Sequence, residues 1–277
     1  MKNLCKDEFR GESVMNLKKI IFFDIDGTIY SPSSKMVSKH VRDAIQKTMQ
    51  LGHLCFISSG RPYSYLDSTI KEIGFDGYIL ASGAHIQYQN KDIQINAIES
   101  DIVNELLLLL KNNQIEYVVH TPFASYMHET FIAQSNFYKT NQEYLMISND
   151  MIEKEIMDKV VKLEVHYDTA QHFHLLKSYC QILSYEVYHE IDSIDFFKKG
   201  HSKASAIKNL LNVVDGSIEN TYCFGDGEND IEMFDIISYP IAMENAIDEL
   251  KKKAKEICKS VDEDGVAYKL QELFQIK

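Results

Sequence analysis

The sequence has no apolar run long enough to cross a bilayer. The longest, Leu106–Leu110, follows Asn104 and Glu105 and is far short of the roughly 20 residues a spanning helix needs. Met1–Val14 is polar and lacks the apolar centre of a signal peptide. Residues 1–16 are expected to be an N-terminal extension, either a loosely ordered arm or a product of start-codon choice. Cysteine is sparse: five residues, at 5, 55, 180, 223 and 258, with no Cys-x-x-Cys. That leaves zinc sites and redox pairs without support and suits reduced thiols in a cytoplasmic protein. Positive charge is also short, with 29 Lys and Arg against 41 Asp and Glu and a net charge of −12. A general nucleic-acid or anionic-membrane partner would need a basic face. A small anionic substrate is still allowed, because a metal and a few cations can reverse the sign of one pocket. Gly-x-Ser-x-Gly, Walker and His-Glu-x-x-His motifs are absent, as are internal repeats and low-complexity linkers.

What is present has an α/β rhythm. Lys19–Asp24 and His53–Ile57 are short, nearly unbroken apolar runs, the pattern of strands buried on both faces of a parallel sheet. Helical patterns follow them, over about 36–51 and from Pro62 to about Ile73, and a short strand covers Tyr78–Leu80. From about 85 to 191 the strands alternate, as in Glu116–His120 and Lys162–His166, with helices expected at about 101–112 and 151–159. Alternation fits a sheet with one solvated face. After Gly200 the first rhythm returns: a helix over 202–212, strands Thr221–Phe224 and Tyr239–Met243, and a lysine-rich helix to about 258. The expected fold is therefore a doubly wound, Rossmann-like α/β core, residues 17–86 and 192–277, with an α+β cap inserted at 87–191.

The unusual polar clusters all stand at expected strand ends, where open α/β sheets bind ligands. Asp24 and Asp26 close the first strand, and Gly27 lets the chain turn. Residues two apart on an extended segment can face one site, and two such carboxylates favour a cation between them. Ser59-Gly60-Arg61-Pro62 closes the second strand; the free N–H groups of a following helix would seat a phosphate. Ser59 can donate to a phosphoryl oxygen, or simply cap that helix. Lys203 opens a helix, where its charge meets the positive dipole end unless an anion is near. Gly225-Asp226-Gly227-Glu228-Asn229-Asp230 closes a later strand with oxygen ligands that suit magnesium. It is not an EF-hand, since Ile231 replaces the required glycine. His172 and His174, two apart on an expected helix, fall on different faces and read as surface residues.

Asp24-Ile25-Asp26-Gly27-Thr28, Ser59-Gly60-Arg61, Lys203 and Gly225–Asp230 resemble the four ordered motifs of the haloacid dehalogenase-like hydrolase superfamily. The cap's position and size resemble the Cof-type phosphatases, which carry a type 2 cap. Ser82-Gly83-Ala84, Ala242–Ala246 and Asp264–Ala267 are further echoes, although Ser82 stands where that family usually has Asn and Glu244 where Gly is common.

The resemblance implies an Mg²⁺-dependent phosphatase of small phosphorylated metabolites, with sugar phosphates among the candidates. Asp24 would be the nucleophile and a metal ligand. Asp26 would be the general acid and base, with its carbonyl on the metal. Ser59 and Lys203 would hold the phosphoryl group and Asp226 would ligate Mg²⁺. Gly27, Thr28, Gly60, Arg61, Asn229 and Asp230 would support the phosphate or the metal shell. A phosphomutase and a non-catalytic phosphate-responsive binder are the competing readings. In the cap, His120, Tyr126 and His128 are candidates for substrate choice, or ordinary packing residues. The oligomeric state is left open.

Overall fold

The computed structural model describes residues 18–131, 145–148, 154–189 and 191–276. The expected extension, 1–16, and the start of the expected helix 151–159 lie outside them. Ile20–Phe23 (β1) is apolar and buried at every position, as the middle of a parallel sheet demands. Tyr30–Ser31 (β2) and Met36–Val37 (β3) make a small antiparallel ribbon. Leu54–Ser58 (β4) and Gly77–Leu80 (β5) continue the parallel pairing. His85–Tyr88 (β6) and Lys91–Ile95 (β7) extend the same sheet antiparallel.

A second sheet is built from Glu116–His120 (β8), Ser125–His128 (β9), Leu145–Ser148 (β10), Lys162–His166 (β11), Ser184–Tyr188 (β12) and Ser193–Phe197 (β13). The chain then returns to the first sheet with Thr221–Gly225 (β14), Tyr239–Met243 (β15) and Glu256–Cys258 (β16). The first sheet runs β16-β15-β14-β1-β4-β5-β6-β7 and the second β10-β9-β8-β11-β13-β12. Helices on the first sheet fall into two packed groups. Lys39–Gln50 packs with Gly265–Phe274, and Ile231–Ile236 packs with both Lys203–Val213 and Asp248–Lys253. This is the doubly wound α/β architecture.

Strand order locates the site. From β1 the chain steps outward through β4 and β5; later it returns on the other side of β1 through β14, β15 and β16. The reversal makes a topological switch point at the carboxyl ends of β14, β1 and β4, where such sheets open a crevice. Register keeps these ends level, since Phe23 pairs with both Phe224 and Ile57.

The second sheet is two-faced. Val119, Leu163, Val165, Ile194 and Phe196 form one face and pack with Val103, Leu106, Leu107 and Leu110 of helix Ser100–Asn112. Those helix positions follow the spacing of a buried stripe, and each such side chain contributes about 1.5–3 kcal/mol when fully buried. The other face, carrying His120, Lys162, Glu164, Asp195 and Glu186, turns to the first sheet. Lys162 Nζ donates to the Gly60 carbonyl at 3.3 Å, and Ser82 Oγ donates to Glu186 Oε1 at 2.7 Å.

Several boundaries differ from the expectation. The hairpin β6–β7 belongs to the core sheet rather than to a cap starting at 87, and β13 belongs to the second sheet rather than to a core resuming at 192. Alternation reports one solvated face and is silent on which strand supplies the partner. The expected helix from Pro62 to Ile73 is a three-residue turn at Tyr63–Tyr65 and a short helix at Ser68–Lys71. The lysine-rich helix stops at Lys253, and Glu256–Cys258 becomes the edge strand β16.

Candidate active site

Asp24 is the first residue after β1. Its side chain is buried, and its Oδ1 accepts from Lys203 Nζ at 2.7 Å. The same ammonium donates to Asp230 Oδ1 at 2.7 Å. Lys203 is the first residue of its helix, whose start is closed by a reciprocal box between Ser202 and Ser205. A buried cation at the positive end of a helix dipole needs anions, and Asp24 and Asp230 supply them. Burial alone would lower the lysine's pKa. The two carboxylates outweigh it and hold the ammonium above its ordinary value.

Asp226 follows β14, and Asp230 lies one turn further on. Asp230 Oδ2 accepts from the backbone N–H groups of Asp226 and Gly227 at 3.0 and 3.2 Å, which closes the loop around itself. Asp24, Asp226 and Asp230 each offer an oxygen within 4.8 Å of the others. Burial, and then the Asp230 charge, push Asp226 up to about 7. Burial and Asp230 likewise raise Asp24 well above the carboxylate range, although Lys203 opposes the shift. One ammonium among three carboxylates leaves the cluster short of positive charge, and oxygen donors suit a hard divalent cation. The residues therefore fit a magnesium ion.

Gly27 and Thr28 close the loop from the other side. Gly27 has φ +76°, and a Cβ there would come 2.2 Å from Asp226 Oδ2, so the close approach of the two loops requires glycine. Thr28 Oγ1 donates to Asp226 Oδ1 at 3.0 Å. Asn245, after β15, is a further residue at this site that the sequence motifs do not assign. Its Nδ2 donates to the Gly27 carbonyl at 2.8 Å, and its Oδ1 accepts from Val261 N at 3.0 Å. It stands at the fourth strand end in a row, the signal that marked the other clusters.

Ser59 is buried after β4, and its Oγ accepts from Arg61 N at 3.2 Å. It thus caps the turn, and among the described residues its own hydroxyl proton has no acceptor. Gly60 meets Lys162 through its carbonyl, and Arg61 turns toward the β1 loop. Asn229 is half-buried in the loop after β14.

Three expectations need correction. The side chains of Asp24 and Asp26 do not face one site: Asp26 is half-exposed and paired with Arg61, and the carboxylates clustered with Asp24 are those of Asp226 and Asp230. The backbone turns after Asp24, and the alternation of an extended strand no longer holds. Tyr126 and His128 share the face of Val119, away from the first sheet, and Tyr126 packs into the helical layer. His120 is on the facing side but fully buried, with Nδ1 2.7 Å from Ser125 Oγ and its ring edge-on to Tyr65. A one-residue step along a strand reverses the face, and that sorts these three residues.

The family profile of haloacid dehalogenase-like hydrolases matches residues 21–270. This chain belongs to that family. Within it the chain is a phosphatase. It is 29% identical over 269 residues to a Bacillus subtilis protein named "Putative phosphatase YkrA", covering 94% of this chain and 99% of the relative. It is 25% identical to the B. subtilis 5-amino-6-(5-phospho-D-ribitylamino)uracil phosphatase YitU, covering 93% and 98%. The fold matches a solved protein of Geobacillus kaustophilus with a TM-score of 0.82 at 23% identity, covering 94% and 100%. It also matches the subclass IIB sugar phosphatase BT4131, with a TM-score of 0.80 at 22% identity and the same coverage. Among the described residues no helix is long and apolar enough to cross a membrane.

Proposed function

We propose that this chain is a cytoplasmic, magnesium-dependent phosphatase of small phosphorylated metabolites that works through a phosphoryl-enzyme intermediate on Asp24. The observation that carries the reading is the convergence of Asp24, Asp226 and Asp230 around Lys203 at the switch point of the sheet. Phosphoryl transfer asks for alignment and charge neutralisation above all.

Lys203 holds Asp24 Oδ1 in place, leaving the other carboxylate oxygen to attack phosphorus. As that bond forms, the bond from phosphorus to the leaving alcohol oxygen breaks, and Asp26 gives the oxygen its proton. Asp26 then takes a proton from water, whose oxygen attacks phosphorus and releases Asp24 as a free carboxylate. Splitting the transfer in two lowers each barrier. Asp26 must leave Arg61 to do this work, and Arg61 is then free for a phosphoryl oxygen. Ser59 donates its hydroxyl proton to the same group. Asp24 and Asp226 would hold the magnesium ion, which supplies neutralisation of the phosphoryl oxygens. The seated second sheet limits the substrate to a small molecule and excludes water from the first step.

Purified protein with Mg²⁺ is expected to hydrolyse a generic aryl phosphate, and Asp24→Asn to abolish this with the fold retained. Full activity in the variant would overturn the assignment.

A further inference from the structure

The facing side of the second sheet carries a row of charge that the chemistry above does not use. Glu164, Asp195 and Glu186 lie abreast on β11, β13 and β12, because register sets Asp195 directly opposite both glutamates. Like charges directly opposite each other destabilise a sheet, and burial makes the repulsion worse. Glu164 and Asp195 are 6% and 3% exposed. Lys162, two residues before Glu164 on the same face, pairs with Asp195, and the neutral His120 ring stands 3.5 Å from Glu164 through Nε2. Burial and the flanking glutamates still push Asp195 up to about 7 despite that lysine.

The free valences of the row are specific. Glu186 is satisfied at both oxygens, by Ser82 Oγ and by Tyr188 OH, each at 2.7 Å. Asp195 Oδ2 belongs to Lys162, while Asp195 Oδ1 is buried with no hydrogen-bond partner. A buried acceptor left unmade is costly. The row also abuts the phosphoryl-binding loop. A Cβ on Gly60, the residue after Ser59, would stand 3.5 Å from Glu186 Oε2 and 3.6 Å from Tyr188 OH. Ser82, just after β5, ties this row to the core through its hydroxyl.

We propose that this row selects phosphate monoesters whose alcohol part carries a protonated amine, which donates to Asp195 Oδ1 and is flanked by Glu164 and Glu186. An ammonium supplies both what the row lacks, positive charge, and what Asp195 Oδ1 lacks, a donor. A neutral polyol supplies only the second. The inference rests on the phosphatase reading above and names the substrate class for the same site.

The test is a comparison of kcat/KM within matched pairs, with Mg²⁺ and the full chain. The pairs are glucosamine 6-phosphate against glucose 6-phosphate, and 2-aminoethyl phosphate against 2-hydroxyethyl phosphate. A charge-assisted hydrogen bond predicts a preference of roughly tenfold or more for the amine in at least one pair. Asp195→Asn should bring that ratio toward one. Glu186→Gln, at a half-exposed position, should reduce it too, and keeps the test open if the first variant folds poorly. A wild-type ratio at or below one in both pairs, or a ratio unmoved by both variants, overturns the inference. Asp24-dependent hydrolysis of an aryl phosphate would in that case leave the phosphatase reading standing. Failure to hydrolyse any ester would remove that reading, and this inference with it.

Discussion

Arg61 grips Asp26 with two sides of its guanidinium, Nε lying 2.8 Å from Oδ2 and Nη2 2.5 Å from Oδ1. Its Nη1 donates to the Tyr65 carbonyl at 3.0 Å, and its Cζ stands 4.8 Å from the centre of the Tyr30 ring. The fork is thus held on three sides, and it holds the group that must move protons. Arg61→Ala should lower kcat/KM for an aryl phosphate roughly tenfold to a hundredfold, the worth of one charged hydrogen-bonding contact. Arg61→Lys should recover little of it, since a point charge cannot replace a planar fork. Steady-state kinetics of both variants checks this, and wild-type rates in Arg61→Lys would contradict it.

Among the described residues, Lys203 is the only cation set between Asp24 and Asp230. Lys203→Met should cost about 3–5 kcal/mol in denaturant unfolding with a chelator present, because it strands buried charge. The sign of the pH effect follows from Asp24, whose carboxyl is raised by burial and by Asp230 and restrained by Lys203. Without the lysine the carboxyl rises further. A group raised on folding contributes stability below its ordinary value and loses it as pH rises. The variant's deficit should therefore be larger at pH 8 than at pH 5.

Metal binding and proton transfer should separate cleanly. Asp226 is in the carboxylate cluster, whereas the Asp26 carboxylate is on Arg61. Adding Mg²⁺ should raise the midpoint of thermal unfolding of the wild type, by mass action on the folded state. Asp226→Asn should lose most of that rise. Asp26→Asn should keep it while losing roughly a hundredfold or more in turnover, the worth of a general acid and base. Loss of the Mg²⁺ shift in Asp26→Asn would mean that its side chain matters to the metal after all.

His120 sets a different pH window. It is buried against Ser125, Tyr65, Lys162 and Glu164, and burial pushes it down to about 4 from 6.5. The folded state holds it neutral, so its contribution is present above about pH 6.5 and is lost as pH falls toward 4. The loss amounts to at most about 3 kcal/mol. His120→Gln should flatten that part of the stability curve in urea unfolding at a series of pH values. An unchanged slope between pH 6.5 and 4 would contradict the assignment.

Much of the site was legible because strand ends are legible. Asp24, Ser59, Asp226 and Lys203 each follow a short apolar run or open a helix, and a parallel sheet brings such positions to one edge whatever the side chains beyond. Asp230 was legible as part of the loop after β14 and of the metal shell; its approach to Asp24 and Lys203 was not, because a helical turn, not a strand, brings it back. Asn245 could have been found by the strand-end argument applied to β15. The row Glu164, Asp195, Glu186 could not. Its three residues are spread over β11, β13 and β12, and only cross-strand register shows that they lie abreast. The same limit hid the partner of β6–β7 and left Tyr126 and His128 among the candidates although they lie on the face away from the first sheet: alternation gives two faces, and pairing decides which one meets the site.

The central claim is that Asp24 takes the phosphoryl group. Rapid acid quench of the enzyme turning over a labelled phosphate ester in Mg²⁺, followed by peptide mass spectrometry, tests it directly. One acid-stable, base-labile phosphoryl group is expected on the peptide carrying Asp24, absent in Asp24→Asn. Turnover with label on another residue, or none on any residue under conditions that trap it, would contradict the account.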